Sequence, residues 1–306
     1  MLEAPRSDFW QVGLVPARIE TLDAARLAAL ADRIVWLQDL DRWRYLADPF
    51  GLVRGERLHV FVEAYDYRIK RAWIERHDYA LGSLQPLGHR SVLAGARHLS
   101  YPYVFEHEGE VWMVPECHQA GEIALYRATD ARLDHWERDC ALLPGVAGAD
   151  ASLIEWQGRW WMFYTVVGPR RQDQRELHIA HAPRLTGPWT LHLRNPVRDD
   201  LAGARPAGRP FVGLDGGLVL PVQDSSGGYG SATRLLHINS LSPDHFEAGL
   251  STERLTGDLA SASHGAGLHT LSACGELTLI DVKRIDRSRG RQWLDLKRRV
   301  RRLLHR

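Results

Sequence analysis

Residues 98–116, HLSYPYVFEHEGEVWMVPE, decide the fold. Two aromatic-rich segments alternate between apolar and polar positions on either side of Gly109. That is the pattern of a β-hairpin whose tight turn uses the positive φ that glycine adopts freely. Polar groups stand at both open ends: His98, Ser100 and Tyr101 at the start, Glu116 at the close.

The unit recurs. Aligned on the turn glycine, copies run over 50–63 (FGLVRGERLHVFVE) around Gly55 and 152–165 (SLIEWQGRWWMFYT) around Gly158. Weaker copies cover 210–224 (PFVGLDGGLVLPVQD) around Gly216 and 269–281 (HTLSACGELTLID) around Gly275. Successive glycines are 54, 49, 58 and 59 residues apart, room each time for a four-stranded blade. Five such units predict an all-β five-bladed β-propeller. Short strand candidates at 123–127 and 177–181 supply outer strands. A lone blade cannot bury both faces, so the ring must close, and residues 9–15 read as a strand that pairs with the last blade. Residues 21–33 predict a short N-terminal helical segment capped by Thr21 or Asp23. Trp112, Trp160 and Trp161 sit at alternating strand positions suited to the core between blades.

The chain has 306 residues, 44% hydrophobic and 25% charged, as expected of a soluble globular protein. Its three cysteines, Cys117, Cys140 and Cys274, are odd in number and lack metal-type spacing, which points to a reducing compartment. With neither a leader pattern nor a long apolar run in the sequence, a cytoplasmic location is expected. The net charge of +1 conceals an asymmetry, because from Lys283 onward eleven Lys and Arg face only Asp286 and Asp295. The reading is therefore a propeller over 1–284 followed by a basic amphipathic helical tail over 285–306. Trp293, Leu296, Val300, Leu303 and Leu304 share one face of that tail. Docking of the tail on the acidic body is the simplest expectation, and a peripheral membrane contact is the alternative. Nucleic acid is not expected, since the body has no basic stripe. No glycine-rich loop follows a strand and opens a helix, so Rossmann and P-loop chemistry have no support.

Ala47-Asp48-Pro49-Phe50, Phe61-Val62-Glu63, residues 98–102, Pro115-Glu116, Leu125-Tyr126-Arg127, Gly187-Pro188-Trp189, Asn195-Pro196, residues 204–208, Gln223-Asp224, Tyr229-Gly230 and His269-Thr270 occur in order. Together they resemble the N-terminal domain of plant glucosamine inositolphosphorylceramide transferases and its bacterial stand-alone relatives. That domain is similar to the five-bladed propellers of family 43 glycoside hydrolases. The resemblance spans about residues 9–284.

In a propeller the innermost strands line a central funnel, so polar residues opening each unit converge on one axis. Asp48, His98, Ser100, Tyr101, Asp150, Arg205 and His269 open the units, Glu63, Glu116, Gln223 and Asp224 close second strands, and Tyr229 is an aromatic candidate for stacking on a sugar. Each has an ordinary structural explanation by itself; recurrence at equivalent positions makes the set a candidate site. Glycosyl chemistry needs two carboxyl groups, one protonated and one ionised. The family resemblance implies Asp48 as base and Asp150 as the orienting carboxylate. It implies an acid Glu in the fourth blade, but that unit opens with Arg205-Pro206, leaving Asp224 or Glu116 for the role; Ala151 stands where the family usually carries Pro.

The expectation is a carbohydrate-active enzyme, glycosidase-like or glycosyl-transferring, with Asp48, Glu116 and Asp150 catalytic and the other funnel residues binding substrate. Arg205 and the histidines suit an anionic, lipid-linked or nucleotide-linked glycan, with Arg205 as a bidentate clamp. The alternative is a non-catalytic glycan-binding propeller that serves a separate glycosyltransferase. No cofactor is expected; His98, His269 and the aspartates offer ligands for a divalent cation, but without a compact motif.

Overall fold

The computed structural model describes residues 6–304 and folds as five antiparallel sheets, each one blade of a propeller. From the axis outward, blade 1 comprises Arg44–Arg54, Arg57–Asp66, Arg71–Ala80 and Pro86–Leu93. Blade 2 comprises Ser100–His107, Glu110–Glu116, Glu122–Ala128 and Trp136–Pro144. Blade 3 comprises Gly148–Trp156, Arg159–Val166 and Glu176–Ala182, with an outer edge split between Thr190–Leu191 and Arg198–Asp199. Blade 4 comprises Phe211–Val212, Leu218–Asp224, Ala232–Leu241 and Phe246–Leu250. Blade 5 joins the two ends of the chain: Leu268–Cys274 and Leu277–Asp286 pair with Ser7–Val15 and Val35–Trp36.

The ring closes through the predicted N-terminal strand. It runs in unbroken antiparallel register from Ser7 opposite Asp286 to Val15 opposite Thr278. Val12, Leu14 and Val15 are fully buried, so closure removes both a sheet edge and apolar surface from water. The five turn glycines at 55, 109, 158, 216 and 275 all have positive φ, between 57° and 80°. Aromatic side chains fill the space between blades: Phe50 meets Tyr101 at 4.7 Å between blades 1 and 2, and Trp160 meets Phe105 at 5.8 Å between blades 2 and 3. Trp161 joins the cluster shared by blades 3 and 4, and Trp112 packs half-buried against the blade 2 core.

Two local expectations change. The segment over 21–33 is not one helix but Ala24–Ala29 flanked by 3-10 turns at Ile19–Thr21 and Ala31–Arg33. Asp23 caps it, accepting from the Arg26 N–H at 2.7 Å, while the Thr21 hydroxyl turns back to the Arg18 carbonyl. Leu27, Leu30 and Ile34 all anchor in the core, and the chain tightens after Leu30 to enter the strand at Val35. In blade 4 the inner strand is only Phe211–Val212, because Pro206 and Pro210 lack donors and 204–210 keeps only a bridge from Pro206 to Val222. The tail forms a helix over Gly290–Leu304. Residues 1–5 and 305–306, at the two ends of the predicted domains, and the side chains of Leu303 and Leu304 lie outside the described residues.

Candidate functional site at the propeller axis

Four inner strands carry the same irregularity at the same height. Pairing steps from Ala47–Glu63 to Phe50–Phe61, from Ser100–Glu116 to Tyr103–Val114, from Ala149–Thr165 to Ser152–Phe163, and from Leu268–Val282 to Leu271–Ile280. Each step inserts one extra residue on the inner strand, a β-bulge that re-aims a side chain. The residues at equivalent places are Asp48, Tyr101, Asp150 and His269. Asp48, Tyr101 and Asp150 have φ of 51°, 45° and 51°, in the left-handed region. That conformation costs a non-glycine residue about 1–2 kcal/mol, so neighbouring contacts must hold it.

Those contacts form two joined groups. In the first, Asp281 of blade 5 accepts the backbone N–H of Asp48 at 2.9 Å, of His269 at 3.1 Å and of Thr270 at 2.9 Å. His269 Nδ1 lies 2.7 Å from Asp281, and its Nε2 lies 3.5 Å from Asp48. The imidazole stacks on Trp10 of the closing strand at 3.7 Å and meets the edge of Tyr229 at 5.5 Å. Asp48 in turn accepts the Tyr101 N–H at 3.2 Å and the Thr270 hydroxyl at 3.3 Å.

The second group centres on Arg205. Its Nε and Nη2 donate to the two oxygens of Asp150 at 2.6 and 3.2 Å, while Nη1 donates to the Asp173 carbonyl at 3.0 Å. Glu116 lies 3.7 Å from the same guanidinium, and Gln223 donates to Asp150 at 3.2 Å. The guanidinium also sits over the Tyr229 ring at 5.4 Å. The fork expected to grip an anionic ligand is therefore filled by Asp150.

Burial and mutual repulsion set the charges. Burial, with the Asp48 and Glu116 charges and a hydrogen bond to Asp48, pushes Glu63 well above the carboxylate range. Burial likewise raises Asp48, against the opposing His269, and raises Asp150, against the opposing Arg205. Glu116 goes the other way: against its burial, the hydrogen bond with His118 and the Arg205 charge hold it at about 2. His118 Nδ1 is 3.0 Å from Glu116, and that hydrogen bond raises His118. Burial lowers His98, which stands 3.5 Å from Glu63.

Most residues read from the sequence meet here, in differing roles. Glu63 and Glu116 occupy equivalent places on neighbouring blades, opposite Ala47 and Ser100. Tyr101 is buried, with its hydroxyl 2.7 Å from Ser152 and donating to the Gly208 carbonyl, so it seals the axis instead of offering a ring to a sugar. Asp224 follows Gln223 in an extended strand and faces the other way, held by Arg254 at 2.8 Å and the Ser226 N–H at 2.9 Å. Asp281, Thr270, His118, Trp10 and Asp173 escaped the sequence reading. Asp281 ends the fifth repeat and His118 follows Glu116 by two, so position in the repeat was the available signal; Trp10 and Asp173 join only through folding.

Asp48, His269 and Asp281 place one ligand atom each within 4.8 Å of one another, the spacing of a cation site. Asp281, however, is committed to three backbone N–H groups and an imidazole. The trio fits a hydrogen-bonded strut that fixes two bulges better than a metal cage.

The fold is a five-bladed propeller with an acid-rich axis, and in fold it is similar to solved family 43 glycoside hydrolases. An α-L-arabinofuranosidase from Podospora anserina superposes with a TM-score of 0.54 at 11% identity, over 81% of this chain and 93% of that one. An exo-β-1,3-galactanase from Clostridium thermocellum gives 0.52 at 13%, over 67% and 49%. At such identities the likeness is one of fold. The profile described as glucosamine inositolphosphorylceramide transferase 1, N-terminal, matches residues 41–270, and the chain belongs to that family. Glucosamine inositolphosphorylceramide transferase 1 of Oryza sativa subsp. indica is 33% identical over 213 residues, and that of Arabidopsis thaliana 31% over 214. Each match covers 66% of this chain but only 27% and 26% of the relative, so the chain spans about a quarter of the proteins it resembles.

Proposed function

We propose that this propeller is a carbohydrate-active enzyme that cleaves or transfers a glycosyl unit at its axis, with Glu63 as the proton donor and Glu116 as the ionised partner. What carries the reading is the divergence of two equivalent carboxyl groups: burial beside Asp48 pushes Glu63 well above the carboxylate range, and His118 and Arg205 hold Glu116 at about 2. Carboxyls pushed apart in this way meet the demand for one acid and one base or nucleophile. Asp48 then tunes and orients Glu63. Asp150, tied to Arg205, positions the cation that keeps Glu116 charged.

The relatives' name joins glucosamine to inositolphosphorylceramide, and on that ground an amino sugar and a lipid-linked glycan are the first substrates to test. An anionic part of such a substrate would lie near His118, about a third exposed, since Arg205 is engaged. The free thiols of Cys117, Cys140 and Cys274 are compatible with the cytoplasmic location that belongs to this proposal. A second reading is a glycan-holding module that serves a separate glycosyltransferase, and the opening of blade 4 on Arg205-Pro206, where the resemblance implies an acid Glu, favours it.

Product analysis on neutral, amino and phosphorylated glycans, with wild type, Glu63→Gln and Glu116→Gln, separates the two. Turnover lost by about 10²–10⁴-fold in either variant supports the enzyme. Glycan binding without turnover in the wild type supports the module.

A further inference from the structure

The C-terminal helix docks with its polar face inward. Arg291 lies over the Tyr67 ring at 4.4 Å, donates to the Ser7 hydroxyl at 3.3 Å and approaches Asp295 at 3.5 Å. Lys70 reaches Asp295 from the blade 1 turn at 3.7 Å, and Arg298 pairs with the same carboxylate. The helix docks against the body through Arg291, on Tyr67 and Ser7, and through Asp295, paired with Lys70. The apolar face is left outward: Trp293, Leu296 and Val300 are 65%, 50% and 46% exposed, one above another at helical spacing. Ile69, beside Lys70, is 52% exposed. An aromatic and aliphatic stripe turned to solvent on a docked helix is a surface built for a partner.

A cleft of about 510 Å³ adjoins the stripe and shares Trp293 with it, and Arg42, Trp43, Arg68, Leu294, Lys297 and Arg298 are among its other lining residues. Cations beside an apolar stripe with a tryptophan at the boundary are what a bilayer interface with anionic headgroups requires. The charge of the chain agrees, since the segment from Lys283 carries eleven Lys and Arg in a protein whose net charge is +1. Among the described residues no helix is long and apolar enough to cross a membrane, so the helix would lie in the interface plane.

We propose that Gly290–Leu304 is a membrane-surface element that lays Trp293, Leu296 and Val300 into an anionic bilayer while Arg42 and Lys297 contact lipid phosphates. The ring then rides on the membrane by the flank where blades 5 and 1 meet. Charge selects the surface, and the stripe supplies the insertion.

Flotation of the full chain with phosphatidylcholine vesicles, with and without phosphatidylserine, tests the proposal. Binding is expected to the anionic vesicles, to weaken with salt, and to vanish in Trp293→Ser/Leu296→Ser. Arg42→Glu and Lys297→Glu should each weaken it about fivefold or more. All four positions are at the surface, and an unchanged circular dichroism spectrum verifies folding. Absence of binding, binding that ignores phosphatidylserine, or binding that survives loss of the stripe overturns the proposal. A wild-type dimer in light scattering that Trp293→Ser/Leu296→Ser makes monomeric also overturns it, by assigning the stripe to a second copy of the chain.

Discussion

Arg205 and Asp150 meet fork to fork at 2.6 and 3.2 Å, joining the opening of blade 4 to the bulge of blade 3 deep in the axis. Both residues are buried, and removal of Arg205 takes away the fork that pairs with both oxygens of Asp150. Arg205→Met should destabilise the fold by about 3–5 kcal/mol in denaturant titration. The double variant Arg205→Met/Asp150→Asn should recover part of that loss, the remainder belonging to Glu116 and Asp173, which still lack the guanidinium. Equal stability of the single and double variants would refute the pairing.

Glu63 and Glu116 should respond to pH with opposite signs. Glu116, depressed from an ordinary 4.5 to about 2, contributes stability that is full above about 4.5 and is lost as pH falls toward 2. The shift corresponds to about 3 kcal/mol, so Glu116→Gln should lower stability at neutral pH. Glu63, raised above 4.5, destabilises increasingly as pH rises from 4.5 toward its folded value. Glu63→Gln should therefore stabilise the protein at neutral pH, and the gain should shrink in acid. Unfolding curves of both variants from pH 3 to pH 8 check the signs.

The same two groups shape any turnover. Activity should fall on the alkaline side as Glu63 loses its proton, and Glu116 should impose no acid limb until pH approaches about 2. Glu63→Gln should remove the alkaline limb along with most of the rate. An unchanged limb in that variant would assign the proton to another group.

Gly208 brings blade 4 against blade 5. At its φ of 144°, an added Cβ would stand 1.9 Å from the Leu271 carbonyl oxygen, and the Gly208 carbonyl also accepts from Tyr101. Gly208→Ala should cost about 3 kcal/mol or more, because the obstacle is backbone that cannot rotate away. The analogous change at Gly216, whose Cβ would meet nothing within 4 Å, should cost only the strain of its positive φ, about 1–2 kcal/mol. Thermal unfolding of the two variants compares them.

The closing strand should be indispensable. Deletion of residues 1–15 strips Leu277–Asp286 of nine paired residues and exposes the neighbours of Val12, Leu14 and Val15. The truncated chain should aggregate through the opened edge, seen as loss of the monomer peak in size-exclusion chromatography.

What the sequence determined by itself was whatever repeats. Five turn glycines at near-equal spacing defined five blades, because a positive φ and strand alternation are local properties that leave a mark on the residues themselves. The same periodicity reached the axis, since Asp48, Asp150 and His269 occupy equivalent places and the strand partners Glu63 and Glu116 do too. The closing strand was legible for a similar reason: a ring of unburied blades has to find a last partner. Tertiary structure alone decided how the polar groups divide their labour. Asp224 and Gln223 are adjacent in sequence but face opposite ways, one toward Arg254 and the other toward Asp150. Arg205 looked like a clamp for an anion and is instead filled by Asp150, a choice set by packing between blades 55 residues apart. Glu63 and Glu116 are the same kind of residue at the same place in their repeats. Only burial beside Asp48, against contact with His118 and Arg205, pushes one of them above the carboxylate range and holds the other below it.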